Sequence, residues 1–563
     1  MCGIAGTTKP DFNLNISRMI EVMRHRGYDG DYFHVEKGKI GLGMNRLAIN
    51  DSSQDLYPFK HKHFVLFFNG EVYNHDEIFK RYLKGKFDRK TTCDAEVILP
   101  LFELFGIKAF SFLEGMFSLC IFDTSKSKIY LARDTFGEKQ LYYTTQQGHL
   151  SFGSELKSIL SLSYVKKEIS LLDLADYLAT GSTFESTLLK GIKKVQPGTC
   201  VSYALKSKKI NTTKYVVPTE LHIDSDNSLD QLDILLSQAV KKRATEHAHI
   251  FLSGGIDSSL LTYYSTQHSK KTATYSINFP ENFIHNESYF SNQIARYFDT
   301  DHYQIDVTYK MILPVIANIG LLIDHPFSDP ACIPTYVLAK LASKNTRVAL
   351  AGEGADELFG GYGRYRDITG DAFNFLGLES NKNEYIAQRI WADAQLLNLG
   401  LDSGRTKVFA RSLQQKQLQD LNHYLPDQLL AKSDVFSMRH NLELRAPFLD
   451  SKLLAFSLQL NNSQKVNVLG TKFILRKIAL RYLPLLTIVR PKHGFSVPIN
   501  NWMRNGNFFK NSFIDMLEDT SIINKKIALK YLVEHVSGTA NHKHKLWSLY
   551  VFFSWARANG ISY

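Results

Sequence analysis

His249-Ile250-Phe251-Leu252-Ser253-Gly254-Gly255-Ile256-Asp257-Ser258-Ser259 is the stretch on which the fold turns. His249–Leu252 is a short apolar run, Ser253–Gly255 is a turn rich in glycine, and the spacing predicts a helix from Ser258. Thr272–Phe279 reads as a second strand, Glu287–Phe298 as a helix, and Arg347–Ala351 as a third strand that again ends in glycines. Strands alternating with helices imply βαβ units and a parallel sheet. After Tyr385 the pattern is mostly helical.

Toward the N-terminus the texture changes. Phe64–Phe68, Met116–Asp123, Lys128–Arg133 and Gln140–Thr144 mix aromatic and branched residues with turn residues, which predicts antiparallel sheets. Helices are expected over Ile16–His25 and Ala95–Leu104. The polar stretch Lys206–Asn227 reads as a linker, giving a domain over residues 2–210 and another over residues 225–563.

Composition sets the outer bounds. The 563 residues are 44% apolar and 22% charged, a globular balance that excludes a disordered or fibrous chain. Met311–Ile323 is broken by Pro314, Asn318 and Gly320 and falls short of the roughly 20 residues a bilayer span needs. No apolar leader precedes Asp11, so no signal peptide is expected. Cysteines at positions 2, 93, 120, 200 and 332 form no CxxC pair, which makes a disulfide scaffold or zinc ribbon unexpected and fits reduced thiols and a cytoplasmic protein. The net charge is +12, yet only Lys206, Lys208 and Lys209 cluster densely, and no zinc finger or RNP pattern accompanies them. Anionic small-molecule substrates account for the basicity better than nucleic acid does. Neither a nucleic-acid nor a membrane partner is expected.

The glycines of Leu252–Ser259 let backbone approach a phosphate, and the helix start adds N–H donors and a favourable dipole. Asp257 would repel phosphate, so a divalent cation is expected between them. The loop is not a GxxxxGK[ST] motif. An ordinary Gly turn with a Ser/Asp cap would look similar. Ala351-Gly352-Glu353-Gly354-Ala355-Asp356-Glu357 ends another strand with carboxylates suited to metal binding and base chemistry, or simply to a helix dipole. Arg490-Pro491-Lys492-His493-Gly494-Phe495 offers a cation on a shaped loop, although most lysines are merely solvated.

Cys2 is a different kind of candidate. Enzymatic removal of Met1 would leave a thiol beside a free α-amine whose ordinary pKa near 8 lets it take the thiol proton. A chance cysteine is the plain alternative. Asn69-Gly70-Glu71 closes the run Phe64–Phe68, where an amide and a backbone N–H could form an oxyanion hole, or where Asn-Gly could simply be a hairpin turn. Arg46 could clamp a carboxylate and Asp94 an α-ammonium.

Cys2–Gly6, His25-Arg26-Gly27, Asn69–Asn74, Cys93–Leu99, Arg133–Tyr143 and Phe152–Lys157, taken together and in this order, resemble the class II glutamine amidotransferase domain. The resemblance implies an Ntn-type αββα sandwich that hydrolyses glutamine. It assigns Cys2 as nucleophile, Asn69 and Gly70 as the oxyanion hole, and Arg46, Asn69, Glu71 and Asp94 as glutamine binders. Tyr28, Glu138 and Gln140 depart from the family pattern. LSGGIDSS, Tyr275–Phe279, Asp329–Thr335, AGEGADELFGGY, Met438–Asp450 and RPKHGFSVP resemble the asparagine synthetase domain, with an adenine nucleotide α-hydrolase-like, ATP-pyrophosphatase fold and a helical C-terminal part.

By that resemblance Leu252, Ser253, Gly254, Gly255, Asp257, Ser258, Ser259, Ile277 and Gly352 bind ATP, and Asp257 and Asp356 hold magnesium. Glu353 is the base for ammonia attack, and Lys492 neutralises departing pyrophosphate. Ala351 stands where serine is usual. The expected reaction joins glutamine hydrolysis to amidation of aspartate through β-aspartyl-AMP and channelled ammonia, yielding asparagine, glutamate, AMP and pyrophosphate. Alternatives are amidation of another carboxylate, such as a uronic acid of surface polysaccharide, a different class II amidotransferase, a noncatalytic scaffold and a cyclising synthetase. Family resemblance also allows a homodimer.

Overall fold

The computed structural model describes residues 2–49, 57–183, 185–216, 227–280, 287–369, 412–490, 497–505 and 507–563. The chain forms two compact units. The first comprises Met1–Lys167, Glu185–Glu220 and Met438–Glu443, and the second Glu168–Phe184, Leu221–Ser437 and Leu444–Tyr563. Among the described residues no helix is long and apolar enough to cross a membrane.

The first unit contains two six-stranded sheets. The strands in chain order are β1 (Cys2–Thr7), β2 (Asp31–Glu36), β3 (Ile40–Arg46), β4 (Phe59–His61), β5 (Phe64–Val72), β6 (Gly115–Asp123), β7 (Lys128–Arg133), β8 (Tyr142–Thr144), β9 (Ser151–Gly153), β10 (Ile192–Lys194), β11 (Thr199–Ala204) and β12 (Ile210–Lys214). One sheet has the order β10-β8-β9-β1-β3-β2 and the other β12-β11-β7-β6-β5-β4. Alternation along β5 decides how they pack. Val65 and Phe67 meet Ile4, Leu42 and Met44 of the first sheet, whereas Leu66 and Phe68 meet Ile98, Leu101 and Phe102 of the helix Ile98–Phe105. The opposite outer face takes α1 (Phe12–Glu21), whose Ile16 and Ile20 lie so close to Gly43 that a Cβ there would fall within 3 Å of both. The result is the expected αββα sandwich.

Two expectations shift. Ile210–Lys214 is strand β12, paired antiparallel with β11, rather than linker, because β11 offers it a sheet edge to join. The strand expected to close at Phe68 runs on to Val72, because Gly115–Ser118 supplies partners as far as Val72. Asn69-Gly70-Glu71 therefore lies inside a sheet rather than in a turn or at a strand end.

The second unit holds the parallel sheet. Strands β13 (His247–Phe251), β14 (Lys271–Asn278), β15 (Asp301–Asp306), β16 (Val348–Leu350) and β17 (Glu443–Arg445) lie in the order β15-β14-β13-β16-β17. β13 pairs in parallel with both β14 and β16. The chain builds outward from β13 on one side and then returns to β16 on the other. The carboxyl ends of β13 and β16 therefore flank the topological switch point, where open α/β sheets bind ligands. Helices dominate the rest, ending in Lys543–Ala558, whose Trp547 and Trp555 are buried.

Candidate active sites

Cys2 opens β1, directly across from Arg46 of β3. The thiol is buried. Burial pushes its pKa up, while the amino terminus and Arg46 pull it down less strongly. It therefore needs a base to become a nucleophile. Cys2 N donates to Asn69 Oδ1 at 2.9 Å, and Asn69 Nδ2 donates to Ser118 Oγ at 3.3 Å. Asn69 thus grips the position that an α-amine would take. Gly70 has φ +154°, and a Cβ there would lie 2.1 Å from the Met116 carbonyl oxygen, so only glycine fits. Glu71 follows on β5 and is buried. Asp94 accepts the Val72 N–H at 2.7 Å. Burial raises its pKa against that hydrogen bond. The Arg46 guanidinium lies 4.6 Å from the centre of the Tyr57 ring, a cation–π contact that fixes its plane.

Behind Cys2 sits a charge cluster that the motifs contain but that residue-by-residue reading missed. Arg26 Nε donates to the Cys2 carbonyl at 3.2 Å and its Nη1 reaches Glu155 Oε1 at 3.0 Å. His25 Nε2 lies 2.9 Å from the same oxygen, and Lys157 Nζ 2.5 Å from the other. Burial lowers the His25 pKa to about 3. Burial would raise Glu155, but His25, Lys157 and Arg26 together hold it well below the ordinary value. Tyr28 is exposed, whereas Gln140 is buried and accepts from Arg133 Nη2 at 2.9 Å, bracing the loop Arg133–Gln140.

The second unit places its candidates at the switch point. The loop after β13 is held by its serines: Ser258 Oγ accepts from Ser253 N at 3.2 Å and Ser253 Oγ from Gly255 N at 3.2 Å. Gly254 has φ +71°, and a Cβ would meet Ser291 N at 2.5 Å. The helix Ile256–His268 starts here, with Ser259 N donating to Gly255 O. Arg490 Nη1 donates to the Gly254 carbonyl at 3.2 Å and Nη2 pairs with Glu287 at 2.5 Å. Leu252, Ser276 and Ile277 line the cavity, and Gly352 faces Asp257 so closely that a Cβ would lie 3.3 Å from the Asp257 Cβ. Ala351 borders the same cavity, and its N–H donates to Arg445 O at 2.9 Å.

Asp257 and Asp356 converge on one cation. Lys472 Nζ contacts Asp257 Oδ2 and lies 2.6 Å from Asp356 Oδ1. Burial opposes the charge on Lys472, but the two carboxylates outweigh it and raise its pKa above the ordinary lysine value. Lys472 takes a left-handed backbone, φ +55°, at the start of the helix Phe473–Tyr482. Such strain is held in place only by strong surroundings. Sequence reading did not single out Lys472, which stands 215 positions from Asp257 and in none of the motifs named above. Lys492 lies outside the described residues, as does the rest of 491–496. Glu353 accepts from Ser433 Oγ at 2.7 Å and lies 3.7 Å from Lys432 Nζ. Among the described residues no group of three or more His, Cys, Asp or Glu is disposed to hold a metal ion. Two hard oxygen donors that already share one cation nevertheless suit a divalent ion whose remaining ligands are phosphate oxygens and water.

Comparison with known proteins supplies the context. Residues 231–557 match the family model described as asparagine synthase, and residues 1–216 match the glutamine amidotransferase domain. A Bacillus subtilis protein named asparagine synthetase [glutamine-hydrolyzing] 1 is 29% identical, covering 99% of this chain and 97% of its own. A putative asparagine synthetase of Mycobacterium tuberculosis is 29% identical over 98% and 95%. The Mus musculus asparagine synthetase is 26% identical over 92% and 87%. Among solved structures, a B. subtilis glutamine phosphoribosylpyrophosphate amidotransferase aligns over 55% of this chain and 91% of its own at TM-score 0.31 and 10% identity, a likeness too slight to carry fold or function.

Proposed function

The chain belongs to the asparagine synthase family and carries a glutamine amidotransferase domain, and from that premise we propose that it makes asparagine from aspartate, glutamine and ATP. Residues 2–210 act as the glutaminase and residues 225–563 as the synthetase. In the first, Met1 is removed and the α-amine of Cys2, steered by Asn69 Oδ1, takes the thiol proton. The thiolate attacks the glutamine carboxamide carbon, the C–N bond breaks as the α-ammonium of Cys2 returns a proton to the leaving nitrogen, and water then hydrolyses the γ-glutamyl thioester left on Cys2. Gly70 N–H and the Asn69 amide meet the developing oxyanion, which requires the Asn69 Nδ2 to leave Ser118. Arg46 pairs with the substrate α-carboxylate, and Glu71 and Asp94 receive its α-ammonium. The products are glutamate and ammonia.

In the second, the loop Leu252–Ser259 cradles the ATP phosphates through backbone N–H groups and serine hydroxyls, and Ile277 and Leu252 contact the adenine. The aspartate β-carboxylate attacks the α-phosphorus and pyrophosphate leaves, giving β-aspartyl-AMP. Lys472 meets the charge that builds on the leaving group, a role proposed from sequence for Lys492. Asp257 and Asp356 would hold Mg2+, which supplies further charge neutralisation when bound. Glu353, set by Ser433, accepts a proton from ammonia as it attacks the acyl carbon and AMP departs. A buried site matters because free ammonia is mostly protonated at neutral pH and then cannot attack.

The observation that carries this reading is the convergence of Asp257, Asp356 and Lys472 beside a phosphate-type loop at the switch point. The test is pyrophosphate release with Mg-ATP and glutamine, with and without aspartate. Strong stimulation by aspartate with asparagine formed one-for-one supports the reading. Glutamine hydrolysis without any response to aspartate refutes aspartate as the acceptor and directs the search to other carboxylates, with nucleotide-linked uronic acids first.

A further inference from the structure

The ATP-side cavity and a second, wider cavity of the same unit share a buried charge pair that the steps above leave unused. Lys432 borders both cavities, and Asp329 borders the wider one only. Lys432 Nζ lies 3.2 Å from Asp329 Oδ2 and 3.7 Å from Glu353 Oε1. Its side chain is 6% exposed and that of Asp329 is 18% exposed. Asp329 is fixed in direction, because its Oδ1 accepts the Ala331 N–H at 2.9 Å. Burial works against the ammonium of Lys432, but Asp329 and Glu353 outweigh it and keep it charged.

A buried ion pair is a poor stabilising device, since desolvation cancels much of its Coulombic gain. Its position therefore calls for another reason. A cation and an anion side by side on a cavity wall match a ligand carrying a carboxylate and an ammonium on one carbon. Lys432 would donate to the first, and Asp329 would accept from the second. A sugar acid offers hydroxyls at that position and leaves both charges without a charged partner on the ligand. Resting on the amide-forming reading above, we infer that Lys432 and Asp329 recognise the α-carboxylate and α-ammonium of the amino-acid acceptor, leaving its side-chain carboxylate to face Glu353 and the nucleotide. Sites built to pair with a polar group reject analogues that lack it far more strongly than apolar pockets do.

The test measures pyrophosphate release by the full chain with Mg-ATP and ammonium chloride while the acceptor is varied. Aspartate is compared with succinate, which lacks the α-ammonium, and with β-alanine, which lacks the α-carboxylate. Asp329→Asn is expected to raise the KM for aspartate at least tenfold and to narrow the aspartate-to-succinate ratio of kcat/KM at least tenfold. Lys432→Gln is expected to raise the same KM and to narrow the aspartate-to-β-alanine ratio instead. An unaltered melting midpoint shows that each variant is folded, and the selective change of one ratio is a readout that misfolding would not produce. Dependence on aspartate in the wild type with both ratios unmoved in the variants overturns this pair alone. A wild type indifferent to aspartate overturns the acceptor assignment and the pair together.

Discussion

Replacing Lys472 with glutamine separates the two half-reactions and has a size that the structure sets. Lys472 is buried, with only 6% of its side chain exposed, and it is shared by two carboxylates whose side chains are each 24% exposed. Its removal has two consequences. The ground state loses the partner of Asp257 and Asp356, and breaking a buried pair costs about 3–5 kcal/mol. The transition state loses a preorganised donor at the leaving group, which typically costs ~10²–10³ in kcat, or about 2.7–4 kcal/mol. Glutamine hydrolysis draws on neither, because its residues belong to the other unit. The assay is coupled pyrophosphate detection beside glutamate release, with melting curves recorded with and without MgCl2. The expected outcome is a hundredfold or greater loss of kcat for pyrophosphate at unchanged glutaminase rate. Mg2+ should also shift melting more in Lys472→Gln than in the wild type, because the two freed carboxylates then need a cation. A pyrophosphate kcat within threefold of wild type would remove Lys472 from the chemistry.

Cys2→Ala is expected to abolish glutamine-dependent amidation and to spare ammonia-dependent amidation; loss of both in a folded protein contradicts separate sites. Gly361→Ala would place a Cβ 1.7 Å from Asp356 Oδ1 and 2.2 Å from Lys472 Cε. It should therefore suppress pyrophosphate formation as strongly as Lys472→Gln, and a kinetically normal Gly361→Ala enzyme would mean the carboxylate–lysine cluster is dispensable. Acid should inactivate the glutaminase through His25 and Glu155. His25 stays neutral to about pH 3 in the fold but protonates near 6.5 when unfolded, so the unfolded chain binds the extra proton. Stability then falls as pH drops from 6.5 toward 3, by up to about 1.4 kcal/mol per pH unit. Glu155, held below its ordinary 4.5, adds the same sign at lower pH. The midpoint of thermal inactivation of glutaminase should drop between pH 6.5 and 5, and His25→Gln should flatten that drop; an equal slope in the variant would refute the assignment.

Local chemistry made much of the molecule legible. The run ending in Ser253-Gly254-Gly255 announced a strand, a turn and a helix because a short apolar run, glycine and a helix start act within a few residues. Lys128–Arg133 came out as read, and Phe64–Phe68 and Met116–Asp123 came out as strands with ends displaced by a few positions. The displaced ends share one cause. Whether Asn69-Gly70-Glu71 turns or continues depends on whether a partner strand reaches that far, and β6 does. Ile210–Lys214 became a strand for the same reason, because β11 offered it an edge.

The amino-acid sequence alone determined the two fold classes, the phosphate-type loop, and the presence of Cys2, Asn69, Asp257 and Asp356 in recognisable settings, since each is written in contiguous residues whose backbone preferences are local. Only tertiary structure decided which charges meet. Lys472 stands 215 positions from Asp257, and Lys432 stands 103 from Asp329. Arg26 reaches across 129 positions to Glu155 behind the nucleophile. No periodicity encodes such pairs. They exist because sheet order brings loops distant in the chain to one buried place, where low dielectric makes an unpartnered charge costly and so selects the partners that are found there.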